Sequence, residues 1–344
     1  MKWDFAIGNP AYQDQTLGDN KGFAPPIYDK FIDAACEIAN KVEMIHPARF
    51  LFNAGSTPKA WNEKMLNDPH FKVLEYEEDA AKVFSNTDIK GGVAITYHDE
   101  GKDFGAIKVF TKYSELNAIL HKISNYTGFK SLSKIVISRT AYRLTDKMHK
   151  EHPEAITQLS QGHAYDMATN IFERLPQIFS NELPKDGRAY IRILGRESNE
   201  RVYKYIRRDY VNSVVNLDKY KILIPKANGI GAFGEIISQP QVCVPGIGAT
   251  ETFLSIGIFD SQYEADSCMK YISTKFVRAL LGILKTTQDV TPDKWKYVPL
   301  QDFTENSDIN WNTSIANIDK QLYKKYGLSQ EEIDFIETHV KEMA

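Results

Sequence analysis

Asn9, Pro10 and Tyr12 are the residues of this chain whose types and spacing best suit chemistry. An Asn amide oxygen and the carbonyl of a proline are both hydrogen-bond acceptors, and the proline ring stiffens the backbone that aims them. Tyr12, two positions on, supplies a flat face for a planar group. Two acceptors beside a stacking ring suit the exocyclic amine of a nucleobase turned out of its helix. The plainer alternative is a strand-to-loop turn with a capping Asn and a Tyr at the edge of a core.

The elements around this triplet must bring it to a surface. Phe5-Ala6-Ile7 reads as a short buried strand that stops at Gly8. Ligands of open α/β sheets collect beyond the carboxyl ends of strands, which is where the Asn9 loop would stand. Asp14–Gly22 has no periodicity and reads as a mobile loop beside the site. Pro25-Pro26 opens a helix carrying Ile27, Phe31, Ala35, Ile38 and Ala39. Val42–Ile45 reads as a strand, Thr57-Pro58 as the start of a helix, Phe71–Tyr76 as a strand and Glu78–Phe84 as a short helix. Gly91–Tyr97 and Ala106–Phe110 read as a strand pair. Such alternation is that of a doubly wound α/β domain.

Asp-Phe-Ala-Ile-Gly-Asn-Pro-Ala-Tyr resembles the Asn-Pro-Pro-Tyr motif of N6-adenine DNA methyltransferases, in particular the Eco57I-like restriction-modification methylases, with Ala11 in place of the second proline. The segments His46–Phe52 and Asn86–Val93 and the phrases Trp295–Thr304 and Ile315–Leu328 are similar to the same family. The resemblance implies the second half of a doubly wound Rossmann-like sheet over residues 1–115. It further implies a helical linker region over 116–180 and an α+β target-recognition domain with C-terminal helices over 181–344. It implies Asn9 and Pro10 as holders of the adenine amine, and Tyr12 with Tyr97 as stackers of the base. The acceptors would raise electron density on the amine nitrogen that attacks a methyl group of S-adenosylmethionine. The family's cofactor motif, a glycine-containing strand-turn before the Asn-Pro loop, has no counterpart in Met1-Lys2-Trp3. The chain is therefore expected to be a fragment, a half complemented by an N-terminal methylase half or a restriction subunit, or a degenerate relative, and to expose an apolar sheet edge and face.

The window 188–226 holds ten basic residues against four acidic ones, a net of +6 in a chain whose formal net charge is −3. Arg188, Arg192, Arg196, Arg201, Lys204, Arg207, Arg208, Lys221 and Lys226 alternate there with tyrosines on three expected strands, 188–195, 201–206 and 219–226. Cations interleaved with aromatic rings suit double-stranded DNA; a solvated charged sheet face is the structural alternative. Gly229–Gly234 matches G-x-G-x-x-G, but Pro240 closes the segment before a helix long enough to hold a pyrophosphate, so it reads as a glycine loop. Ser261–Leu284 reads as one amphipathic helix, and Ser329 with Glu332 as a capping box.

Hydrophobic residues make up 42% and charged residues 25% of the chain, the balance of a globular protein. No apolar run approaches the ~20 residues of a membrane span, and the start does not read as a secretory leader. Cys36, Cys243 and Cys268 are far apart, without metal-ligand spacing, and read as reduced thiols of a cytoplasmic protein. Two other functions stay open. A non-catalytic DNA-binding specificity module would keep the basic window without turnover. A nuclease would use Asp88 with Glu100 and Lys102 around a metal ion.

Overall fold

In a computed structural model the structure describes residues 2–14, 24–85, 89, 91–198, 200–285 and 287–343. The chain divides into two units, residues 1–117 and 118–344. The expected mobile loop falls almost wholly outside the described residues, as do Asn86, Thr87 and Asp88.

The first unit is a mixed α/β layer. Strands β1 (Trp3–Gly8), β2 (Ala39–Pro47), β3 (Phe71–Glu77) and β4 (Val93–Asp99) form a sheet in the order β1-β2-β4-β3. β1 and β2 are parallel, and β4 lies antiparallel between β2 and β3. Helix α1 (Tyr28–Ile38) runs straight into β2, and α2 (Lys59–Asn67) precedes β3. Tyr28, Ile32 and Ala35 recur at helical spacing and are buried with Trp61 and Met65 against Val42, Met44, Phe71 and Ala94. Full burial of a side chain such as Ile32 contributes about 2 kcal/mol. On β1, Trp3, Phe5 and Ile7 are exposed at 73%, 50% and 73%. β1 is an edge strand of this sheet, and because alternate residues share a face these three side chains leave an apolar sheet face uncovered, so the expected burial of Phe5 and Ile7 is not met.

Two other expectations fail here. Ala106–Phe110 is not a strand: both edges of β4 are already taken by β2 and β3, and Lys108 instead donates its amide to the carbonyl of Leu66 at left-handed φ. The short helix before Phe84 is a single 3-10 turn, Ala80–Lys82.

Helix α3 (Ser114–Ser124) carries the chain into the second unit. There follow β5 (Val136–Ile137), α4 (Asp146–Glu151), α5 (Ala155–Gln158) and α6 (Ile171–Arg174). Strands β6 (Tyr190–Glu197), β7 (Glu200–Arg207), β8 (Tyr220–Pro225), β9 (Gln241–Cys243), β10 (Ile247–Ala249) and β11 (Phe253–Phe259) come next. They make two sheets, β10-β6-β7 and β5-β11-β8-β9. Residues 142–178 are no linker: Tyr142, Met148, Met167, Phe172 and Leu175 are buried in one core with Ile193, Leu194 and Ile206 of the β6–β7 hairpin.

The expected single helix Ser261–Leu284 is two, α7 (Gln262–Ser273) and α8 (Lys275–Leu284). Thr274 caps α8, and the carboxylate of buried Asp319 accepts from the amides of Lys275 and Phe276. α9 (Ile315–Lys325) and α10 (Gln330–His339) close the chain, α10 with the expected capping box at Ser329 and Glu332. Among the described residues no helix is long and apolar enough to cross a membrane.

Candidate nucleic-acid site

Gly8 ends β1, and the loop that follows stays at the surface: Asn9 and Ala11 are exposed, Pro10 and Tyr12 half-buried. The loop is tied back to the start of α1. The Tyr12 carbonyl accepts from the Ile27 amide at 3.2 Å, and the Asp14 amide donates to the Pro25 carbonyl at 2.9 Å. The ring opposite Tyr12 is Phe84, centroids 6.4 Å apart and inclined at 64°. Burial raises the Tyr12 phenol above its usual pKa, so it stays neutral, and its buried oxygen has no partner among the described residues. Tyr12 and Phe84 thus meet edge to face, two packed walls of the loop that carries Asn9 and Pro10.

Tyr97 is not one of those walls. It pairs with Phe5 at 6.5 Å and Phe104 at 6.0 Å, and its hydroxyl donates to Asp99 at 3.0 Å. The sequence reading missed Phe84 because the only signal was an aromatic closing a short polar segment. The ring reaches Tyr12 by packing across 72 positions of chain.

His46, which lies in the segment resembling the methylases, is a core residue rather than an acid or base. Its ring stacks on Tyr28, centroids 5.6 Å apart, with Nε2 2.7 Å from the Thr96 hydroxyl. Burial lowers its pKa to about 4. A cavity of about 500 Å³ in this unit is lined by Lys2, Asp33, Lys64, Asp68, His98 and Glu100 among others. No residue of the Asn9 loop lines it, so it does not fit a cofactor that must meet a base held there. Of the carboxylate-lysine nuclease set, Glu100 is paired with Lys2, and Asp88 lies outside the described residues.

In the second unit the basic window sorts by what each cation already holds. Lys221 is fully buried, its ammonium given to the carbonyls of Leu217 and Lys219. Desolvation lowers its pKa to about 8. The expectation of a DNA contact at Lys221 therefore fails on burial. Arg207 is buried as well, bonded to Glu151, to Asp209 at 2.7 Å and to the Tyr210 hydroxyl at 2.8 Å. It holds the Asp209 carboxyl down to about 2 and belongs to the core's edge rather than to a docking face. Lys204 pairs with Glu197 at 2.6 Å and lies over Phe172; Arg208 pairs with Asp218 at 2.5 Å, and Arg188 with Asp186 at 3.8 Å.

Three cations have no carboxylate partner among the described residues. Arg192 lies 5.2 Å over the Tyr203 ring, and Arg201 lies 5.6 Å over Phe253 while donating to the Gln239 carbonyl. Lys226, just past β8, is the third. Arg196 is exposed at the β6–β7 turn, opposite Arg201 in register.

The glycine loop holds an anion, but its own. The amides of Ile230 and Gly231 donate to the Glu235 carboxylate at 2.9 and 3.0 Å, and buried Lys285 pairs with it. A Cβ on Gly229, at φ +57°, would fall 2.0 Å from that carboxylate. The G-x-G-x-x-G match is therefore structural, as expected from the proline that follows.

Residues 1–84 match the model of the Eco57I restriction-modification methylase family. None of the curated proteins matches the chain. Among solved structures it is similar to the type IIL restriction-modification enzyme MmeI in complex with DNA, at 10% identity and a TM-score of 0.36, over 98% of this chain and 56% of that one. It is also similar to the type IIG restriction endonuclease BpuSI, at 10% identity and a TM-score of 0.30, over 91% of this chain and 49% of the other. The chain spans about half the length of these two structures, and at such TM-scores the likeness does not fix a shared fold. The family match thus falls on the stretch that carries the Asn9 loop and, at its far end, Phe84.

Proposed function

We propose that this chain works in a restriction-modification system as the base-holding and DNA-recognising part of an adenine-N6 DNA methylase. The observation that carries the reading is the surface position of Asn9 beside Tyr12, whose ring Phe84 buttresses edge-on. An adenine extruded from duplex DNA stacks on Tyr12, and its amine donates to the Asn9 side-chain oxygen and the Pro10 carbonyl. Accepting both amine protons holds the nitrogen lone pair toward the incoming methyl group, and the neutral Tyr12 phenol keeps the wall apolar. S-adenosylmethionine supplies that methyl group when bound, and the residues described here are assigned to the base, none to the cofactor. The free edge of β1, with Trp3, Phe5 and Ile7 exposed, supports a second segment completing the sheet and bringing the cofactor site. In the second unit Arg192, Arg196, Arg201 and Lys226, with Arg188 at the rim, contact the DNA. Lys204, Arg207 and Arg208 hold the strands that present them.

The test is binding of the purified chain to a random pool of 30-base-pair duplexes, followed by tritiated methyl transfer in the presence of cell extract supplying the complementing half. Retention of a defined subset of duplexes and label in N6-methyladenine are expected. Retention with no label under any complementation would favour the non-catalytic specificity module, which rests on the same basic residues.

A further inference from the structure

Ile230 is the most exposed large apolar side chain among the described residues, at 84%. A lone exposed isoleucine is ordinary on a floppy loop, but this loop is held from several sides. Half-buried Glu235 binds the amides of Ile230 and Gly231, and buried Lys285 grips both Glu235 and the carbonyl of Asn228. The Asn228 side chain, 2% exposed, accepts from the Ser238 amide at 2.6 Å and so closes the neck of the loop. On the far side the Lys341 amide donates to the Gly234 carbonyl, and a Cβ on Gly234 would fall 2.2 Å from the His339 carbonyl oxygen. The fold therefore spends a buried ion pair and two obligatory glycines on pointing one isoleucine into solvent. Lys226 stands at the neck without a carboxylate partner, and Arg201 donates to Gln239, just beyond the same loop. The loop that carries the apolar tip is thus flanked along the chain by Lys226 and by the Arg201–Gln239 bond, a combination that complements a polyanion with a stacked apolar interior.

We propose that the Gly229–Gly234 loop is a wedge and that Ile230 inserts between base pairs of the bound duplex. The inference rests on the reading that this unit grips duplex DNA, and it names the contact that deforms it. Rigid apolar wedges part-unstack a base step and kink the duplex by about 20–90°. The cations alone would bind without kinking.

The experiment uses the whole chain with duplexes it retains from the random 30-base-pair pool, end-labelled with a donor and acceptor dye. The wild-type chain is expected to raise energy transfer between the ends. Ile230→Ala is expected to lose most of that rise and about 10-fold or more in affinity, while the slope of log affinity against log salt stays unchanged. Arg201→Ala, by contrast, is expected to reduce that slope by about one. A wild-type chain that binds but leaves energy transfer unchanged, or an Ile230→Ala chain that bends DNA as the wild type does, overturns the wedge while sparing the DNA-binding reading. Retention of no duplex at all overturns both.

Discussion

The two units handle their liabilities in opposite ways. The first leaves apolar surface unspent: Trp3, Phe5 and Ile7 line the edge of its sheet in the open, beside a loop whose acceptors are exposed. The second carries the chain's densest positive charge, yet spends most of it internally on Glu151, Asp209, Asp218, Glu197 and a set of backbone carbonyls. A residue left unsatisfied where a partner would have been easy to supply is the better pointer to function. By that measure Asn9, the Tyr12–Phe84 pair and the three unpaired cations matter more than charge density does.

The largest expected effect lies at the loop. Asn9→Ala removes one of two acceptors that hold the amine, and methyl transfer by the complemented chain should fall by about 10²–10³-fold, with DNA retention unchanged. An equal loss of retention would make Asn9 a docking residue instead.

Next comes the buried cation of the second unit. Arg207→Ala strands Glu151, Asp209 and the Tyr210 hydroxyl. With the two carboxylates about 40% exposed, the lower part of the range for broken pairs applies, about 2–3 kcal/mol by urea unfolding. Arg192→Ala, which strands no carboxylate, should change stability by under about 1 kcal/mol and weaken DNA binding instead. If the two variants behaved alike, the division between structural and contact cations would be lost.

Acid separates the units a third way. His46 is buried neutral with a pKa of about 4 against 6.5 for the free ring. Between those values the unfolded chain binds the extra proton, so the first unit loses stability as pH falls through this window. The loss is about 2 kcal/mol from pH 7 to pH 5. Asp319 in the second unit is raised by burial to about 6. Its folded form holds the proton between pH 3.8 and 6, so this group's contribution improves as pH falls through that window. Amide exchange followed by mass spectrometry should show α1 and β2 loosening at pH 5, and His46→Gln should flatten that response. A pH response unchanged in His46→Gln would remove the ring as its source.

A last contrast distinguishes two rings. Tyr12→Ala should weaken retention of duplexes by about 1–3 kcal/mol, the worth of one base–aromatic stack, whereas Tyr97→Ala should leave it unchanged. The reverse order would restore Tyr97 as the stacker.

Local chemistry made much of this legible in advance. The stop at Gly8, the β6–β7 hairpin and the Ser329–Glu332 cap are all set by neighbours within a few positions. What the sequence hid is set by distant partners. Glu151 lies 56 positions before Arg207, outside any window in which charge would be counted. The 106–110 segment has a strand's composition, but β4 had no edge left to pair with it. Phe84 becomes a wall only because the chain folds it onto Tyr12. The bare side of β1 was expected only through the family resemblance, because locally Phe5-Ala6-Ile7 reads as a buried run and its covering would have to be remote.

The cradle at positions 9–12 is tested most directly by photocrosslinking. A duplex retained by the chain is synthesised with 5-iodouracil replacing each adenine in turn, irradiated, and the attached peptide is sequenced. The base stacked on Tyr12 should crosslink at one position, to Tyr12 or to the adjoining Phe84. Attachment at Tyr97, or at residues of the second unit alone for every substituted position, would contradict the cradle.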